Sequence, residues 1–155
     1  MRMLTRNVRT SLHKITMQTF LPYPDFEKSF EVLDYRRLGK QRVEAMQILN
    51  ILSSDKRTGG WVNHPAVKMW RGYEDALCLY MNLCIEEWIK RGYKNTMRFV
   101  ATPKKITFPK WFGDREFHAS HRSNLLRKDY DYYSKFGWIE PTTLPYNWGE
   151  KKSND

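Results

Sequence analysis

The sequence predicts a mainly α fold: a compact single domain of about three main helices, with long basic loops and an aromatic C-terminal segment. Three observations carry this expectation. Apolar residues recur at three- and four-residue spacing through three blocks. Helix start and stop signals bracket those blocks. No internal repeat or low-complexity linker divides the 155 residues, so one core is expected.

Residues 1–16 hold Arg2, Arg6, Arg9, His13 and Lys14 and no acid. That composition suits an organellar transit peptide, a disordered basic arm, or sequence upstream of a second start at Met17. The domain is therefore placed at 17–148, with residues 149–155 as a disordered tail. The first helical block spans about Asp25 to Leu52. Asp25 is the expected cap of a short helix, and Asp34 that of a longer one. Leu38, Ala45, Leu49 and Leu52 recur at helical spacing and are assigned to the core. Gly39 lies inside that helix, where it costs up to about 1 kcal/mol against Ala; close approach of a backbone or ligand, or a kink, would explain it.

Residues 53–63 read as a loop broken by Gly59-Gly60. His64-Pro65 then opens the second block, with Pro at the first helical position. Val67, Trp70, Ala76, Leu77, Tyr80, Leu83, Cys84 and Trp88 give an apolar stripe, and "KRGY" at 90–93 gives the stop, for a helix of about 27 residues. Residues 94–116 form an extended basic connector carrying Lys94, Arg98, Lys104, Lys105 and Lys110. The third block starts near Phe117. The tail "GWIEPTTLPYNW" is expected to pack across the helices, because Trp138, Tyr146 and Trp148 are costly to expose.

Charge narrows the function. Lys plus Arg total 27 against 17 Asp plus Glu, a net charge of +10. That excess favours a polyanion, since each neutralised phosphate releases a condensed counterion. Aromatics make up 15% and often neighbour cations, as in "KMWRGY" and "RKDYDYYSKFGW". Such interleaving suits base stacking and equally suits helix packing with Lys and Arg stems laid over apolar surface. No apolar run is long enough to span a membrane. Cys78 and Cys84, six apart on a helix, point in different directions, which fits a reduced intracellular protein with access to DNA.

Two constellations could carry chemistry. "DYRRLGKQRVEA" packs Arg36, Arg37, Lys40 and Arg42 into seven residues, with Gln41 and Glu44 among them. Arg grips phosphate as a fork and Lys as a mobile amine. Glu44 amid cations is expected to stay ionised, where it would stabilise a positive intermediate. A solvated, salt-bridged helix face is the plain alternative. "FHASHRSNLLRK" places His118 and His121 three apart, with Ser120, Arg122, Ser123 and Asn124 beside them and Arg127 and Lys128 following. This is a phosphate site at a helix start, or a polar helix start with capping serines. An acid–base pair of His118 and His121 would make a base-processing enzyme or phosphodiesterase. His64 at a cap position is read as structural or DNA-facing. A zinc site lacks a third ligand nearby. There is no P-loop, no Gly-x-Ser-x-Gly, no cysteine nucleophile context and no acidic cluster for two-metal chemistry.

In order and spacing, four segments together resemble the phage-type pyrimidine-dimer DNA glycosylase/AP lyase family. They are "DYRRLGKQR", the helix from His64 to "IEEWIKRGY", "GDREFHASHRS" and "DYDYYSKFGW", covering about residues 17–138. The resemblance implies a compact, mainly α domain without metal or cofactor, expected to act as a monomer on damaged or base-modified double-stranded DNA. It implies an amine that attacks C1′ of a damaged nucleotide, a Schiff base, and β-elimination that nicks the strand. The family's catalytic carboxylate follows the Arg of its Tyr-Arg pair. Here Arg37 stands there, and Glu44, about two turns on, is the nearest replacement, with Gln41 between. The implied nucleophile is the α-amine of Met17, if that is the true N-terminus, or else Lys40. DNA contacts are expected from Arg36, Arg37, Arg42, His64, His118, His121, Arg122, Asn124, Arg127 and Lys128. A non-catalytic module of the same fold that recognises damage is the alternative that Arg37 favours.

Overall fold

The structure, a computed structural model, describes residues 17–54 and 60–150. The expectations for residues 1–16, for 151–155 and for Gly59 lie outside them. Helix α1 runs Phe26–Val32, α2 Tyr35–Ser53, α3 Pro65–Lys68, α4 Glu74–Lys90, α5 Arg115–Lys128 and α6 Tyr130–Tyr133. Short 3-10 turns occupy Gly60–Asn63 and Ser134–Phe136. There is no strand among the described residues, so the mainly α expectation holds, with α2, α4 and α5 as the three main helices.

Side-chain caps set the helix starts. Asp25 accepts from Lys28 N at 2.8 Å, and Asp34 accepts from Arg37 N at 3.4 Å. Asp114 opens α5 by accepting from Glu116 N. One expectation needs correction: the second block is not one helix of about 27 residues. It breaks at Met69–Tyr73, where Gly72 takes φ 87°, open to glycine at no steric cost. The break turns Trp70 fully into the core, where its Nε1 donates to Thr19 Oγ1 at 3.1 Å.

Helix α4 packs along α2 on one side and α1 on another. Phe30 and Trp70 meet Tyr80 with ring centroids 4.7 and 5.4 Å apart, and Phe26 meets Tyr80 edge to face. Leu38, Ala45 and Ile48 are buried on α2, while Leu49 and Leu52 are only half-buried. Close approach explains Gly39: a Cβ there would sit 2.8 Å from the Trp88 ring. Arg42 then lies 4.3 Å from the centroid of the same indole.

The connector after α4 is extended and fixed at several points. Trp88 Nε1 donates to Lys94 O, Asn82 exchanges two hydrogen bonds with Val100, and Trp111 Nε1 donates to Met69 O. The C-terminal segment packs across the helices as its aromatics require. Trp138 stacks on Tyr133 and donates to Tyr23 Oη, while Tyr146 and Trp148 lie against the core. No described helix is long and apolar enough to cross a membrane.

Candidate active site

The extended segment Met17–Pro22 threads between α2, α4, α5 and the C-terminal segment, and nearly every polar backbone group that it buries finds a partner. On the α2 side, Gln18 N donates to Glu44 Oε2 at 2.6 Å, and Gln41 Nε2 donates to Gln18 O at 3.1 Å. Gln41 Oε1 accepts from Phe20 N at 3.1 Å and from Tyr80 Oη at 2.7 Å. Spacing of three along α2 puts Gln41 and Glu44 on one face, so both reach the same segment. Tyr146 Oη donates to Thr19 O from the C-terminal segment. Sequence reasoning missed Tyr80 and Tyr146 as parts of this arrangement, having read them as core. The available signal was that a buried phenol needs a partner for its hydroxyl.

Glu44 is 4% exposed. Burial pushes its carboxyl up to about 7, against the opposing pull of Gln18 N–H and of Lys40. This corrects the expectation of a carboxylate held ionised by its cations: desolvation outweighs them. Lys40 Nζ lies 3.5 Å from Glu44 Oε1 and stays partly exposed. Lys128, on the end of α5, also faces Glu44 and has Arg37, Lys40 and Arg127 around it; burial and then these neighbours push its amine down. The carboxyl is thus shared between protonated and ionised forms at neutral pH, beside amines and at the head of the segment.

The two histidines do different work from that expected. His121 is fully buried and accepts Leu21 N–H at Nδ1, 2.9 Å away, so Nε2 carries its proton toward Asn147 O at 3.1 Å. His118 accepts Gly113 N–H at Nε2, 2.9 Å away, so Nδ1 carries its proton to Leu21 O at 2.7 Å. The pair takes opposite tautomers and holds both the N–H and the C=O of Leu21. Burial holds both imidazoles in the neutral range, and pushes His121 down to about 3. The expected phosphate site and acid–base pair at His118 and His121 are corrected accordingly, because burial and four filled ring nitrogens leave them nothing to offer. Asn124 is buried too, donating to Ser120 O and Leu144 O.

The remaining candidates divide by exposure. Arg37 is tied to Asp34 at 3.0 Å, which braces the start of α2. Arg122 spans Pro22 O and Glu140 at 2.7 Å each. His64 caps α3 by accepting from Ala66 N. Arg42 bonds Asn95 Oδ1 at 2.7 Å beneath its stack on Trp88. Arg36, Arg127 and Lys128 are exposed, and Arg127 also bonds Thr142 O and Asn124 Oδ1. Arg36, Arg37, Lys40, Arg127 and Lys128 thus belong to α2 and the end of α5, the two elements that flank Glu44. Among the described residues, no three His, Cys, Asp or Glu are grouped to hold a metal ion.

No curated protein and no solved structure matches the chain. Residues 17–100, which take in the segment Met17–Pro22, Gln41, Glu44 and Tyr80, match the family described as pyrimidine dimer DNA glycosylase. On that match, the chain belongs to the pyrimidine dimer DNA glycosylase family.

Proposed function

We propose that the protein is a DNA glycosylase with AP lyase activity on a damaged pyrimidine in duplex DNA, working through an amine of its own. The observation that carries this reading is Glu44: a buried carboxyl near pH 7, bonded to Gln18 N at the head of a fixed extended segment and flanked by Lys40 and Lys128. Consecutive Cα atoms are about 3.8 Å apart. In a chain whose first residue is Met17, the α-amine therefore comes within a few ångströms of that carboxyl.

The chemistry follows from that placement. The neutral amine attacks C1′, and the C1′–N bond to the pyrimidine breaks with the electron pair leaving on the base, which takes up a proton. The C1′–O4′ bond then opens, O4′ takes a proton, and a C1′ imine forms. Loss of a C2′ proton expels the 3′ phosphate, and water later frees the amine. A carboxyl balanced near neutrality serves both directions, giving a proton to O4′ as an acid and taking one from C2′ as a base. The exposed cations Arg36, Arg127 and Lys128, with the half-exposed Lys40, are suited to the phosphates around an extruded nucleotide.

Borohydride trapping on duplex carrying a pyrimidine dimer tests this. A chain beginning at Met17 is expected to form a covalent adduct mapping to Met17, with the 155-residue chain weaker. Equal trapping by both chains, with Lys40→Ala inactive, would move the nucleophile onto α2. Tight binding with no adduct and no released base would leave a damage-recognising module.

A further inference from the structure

We infer that the connector from Lys94 to Lys110 is a second DNA-contacting surface, a rigid cationic strip that takes the phosphate backbone of duplex flanking the lesion. Lys94, Arg98, Lys104, Lys105 and Lys110 are all exposed, and no Asp or Glu occurs between Glu87 and Asp114. The four ion pairs among the described residues lie elsewhere, so these cations are left without acidic partners. Like charges crowded on a surface repel one another, and a polyanion relieves that cost.

The strip is held in place as a loop of this length is not by default. Its start is fixed by Trp88 to Lys94 O, its middle by Asn82 to Val100, and its end by Trp111 to Met69 O. Those anchors come from the C-terminal end and the middle of α4 and from the turn before it. They spread the cations over a length comparable to a 17-residue helix, about 25 Å. That is roughly seven base pairs of backbone at 3.4 Å each. Preorganisation lowers the entropy lost on binding.

The strip is tied to α2, the helix that carries Glu44. Asn95 accepts from Arg42, which at two residues from Glu44 lies on the opposite side of that helix. One helix therefore separates the connector from Glu44, and the exposed Arg36 and half-exposed Lys40 stand on that same helix. Duplex that reaches round α2 from Glu44 would lay one arm along the connector. The choice of DNA as occupant rests on the proposed activity, while the cations and their anchoring do not.

The test is the salt dependence of binding, read by fluorescence anisotropy on undamaged and dimer-containing duplex. The chain carrying Lys94→Gln, Arg98→Gln, Lys104→Gln and Lys105→Gln is compared with wild type and with Lys90→Gln. Lys90 lies among Glu27, Glu31, Glu86 and Glu87 in a groove between α1 and α4, so it serves as the control. Each lost phosphate contact lowers the slope of log K against log salt by about 0.9. The fourfold variant is expected to lose about two to four units of slope, equally on both duplexes, with unchanged single-turnover rate at saturating protein and unchanged circular dichroism. An unchanged slope, a loss confined to damaged duplex, or an equal loss in Lys90→Gln would overturn the inference. Wild-type binding without turnover would instead count against the proposed chemistry and leave the strip standing.

Discussion

Glu44 shows what one buried carboxyl costs. Its proton affinity is raised from the ordinary 4.5 to about 7, so the folded state binds more protons than the unfolded chain between those values. Stability from this group is full below about 4.5, is lost as pH rises through 7, and the loss is on the order of 3 kcal/mol. His121 has the opposite sign. Held near 3, it contributes stability that is present above about 6.5 and lost as pH falls toward 3. Glu44→Gln keeps an acceptor for Gln18 N–H but removes the charge. Urea melts from pH 4 to 8.5 are expected to show the variant more stable than wild type by on the order of 1–3 kcal/mol at pH 8 and level with it at pH 4. The same variant is expected to lose at least about a hundredfold in single-turnover rate on dimer-containing duplex. A variant no more stable at pH 8 would mean that Glu44 is not paying for its position.

Among the elements, the contact between α2 and α4 is the least forgiving. Gly39 has no Cβ because Trp88 occupies the space, and Arg42 closes over the indole from the next turn. Gly39→Ala is expected to destabilise by about 1–3 kcal/mol despite alanine's better helix propensity, since the ring or the helix must shift. Thermal melts check this, and a stabilised variant would show that the interface is slack. Much at this scale was legible in the sequence. Asp25 and Asp34 announced their helices, and Gly92 follows the end of α4 with φ 91°. The break at Met69–Tyr73 was not legible. The apolar stripe resumes at Ala76, six residues after Trp70 and still near helical register, and Gly72 alone does not separate a kink from a tolerated glycine.

At the scale of the whole molecule, the segment Met17–Pro22 depends on residues far along the chain. Gln41 and Glu44 share one face of α2, but spacing does not reveal that their partners are Gln18 and Phe20. His118 and His121 misled for the same reason. Their spacing fits a ligand site as well as a clamp, and the deciding partner, Leu21, lies 97 to 100 residues earlier. Removing everything after Gly137 takes away Glu140, Tyr146 and Asn147, which brace Arg122, Thr19 and His121. Hydrogen exchange at the Leu21 amide is expected to rise by at least tenfold in the shortened chain while α2 and α4 amides stay protected. Uniform loss of protection would show that the C-terminal segment holds up the whole core instead.

The tie between Thr19 and Tyr146 spans 127 residues. During translation, then, the segment leaves the ribosome early and waits for its partners. Helices α2 and α4 can form and pair behind it, since their contacts are comparatively local. The alignment of Met17–Pro22 against Glu44 is completed only when Tyr146 and Asn147 emerge. A nascent chain is thus without its finished site through nearly all of its synthesis, and a ribosome stalled before residue 146 holds a protein in which α2 and α4 can pair while the first segment is still unbraced.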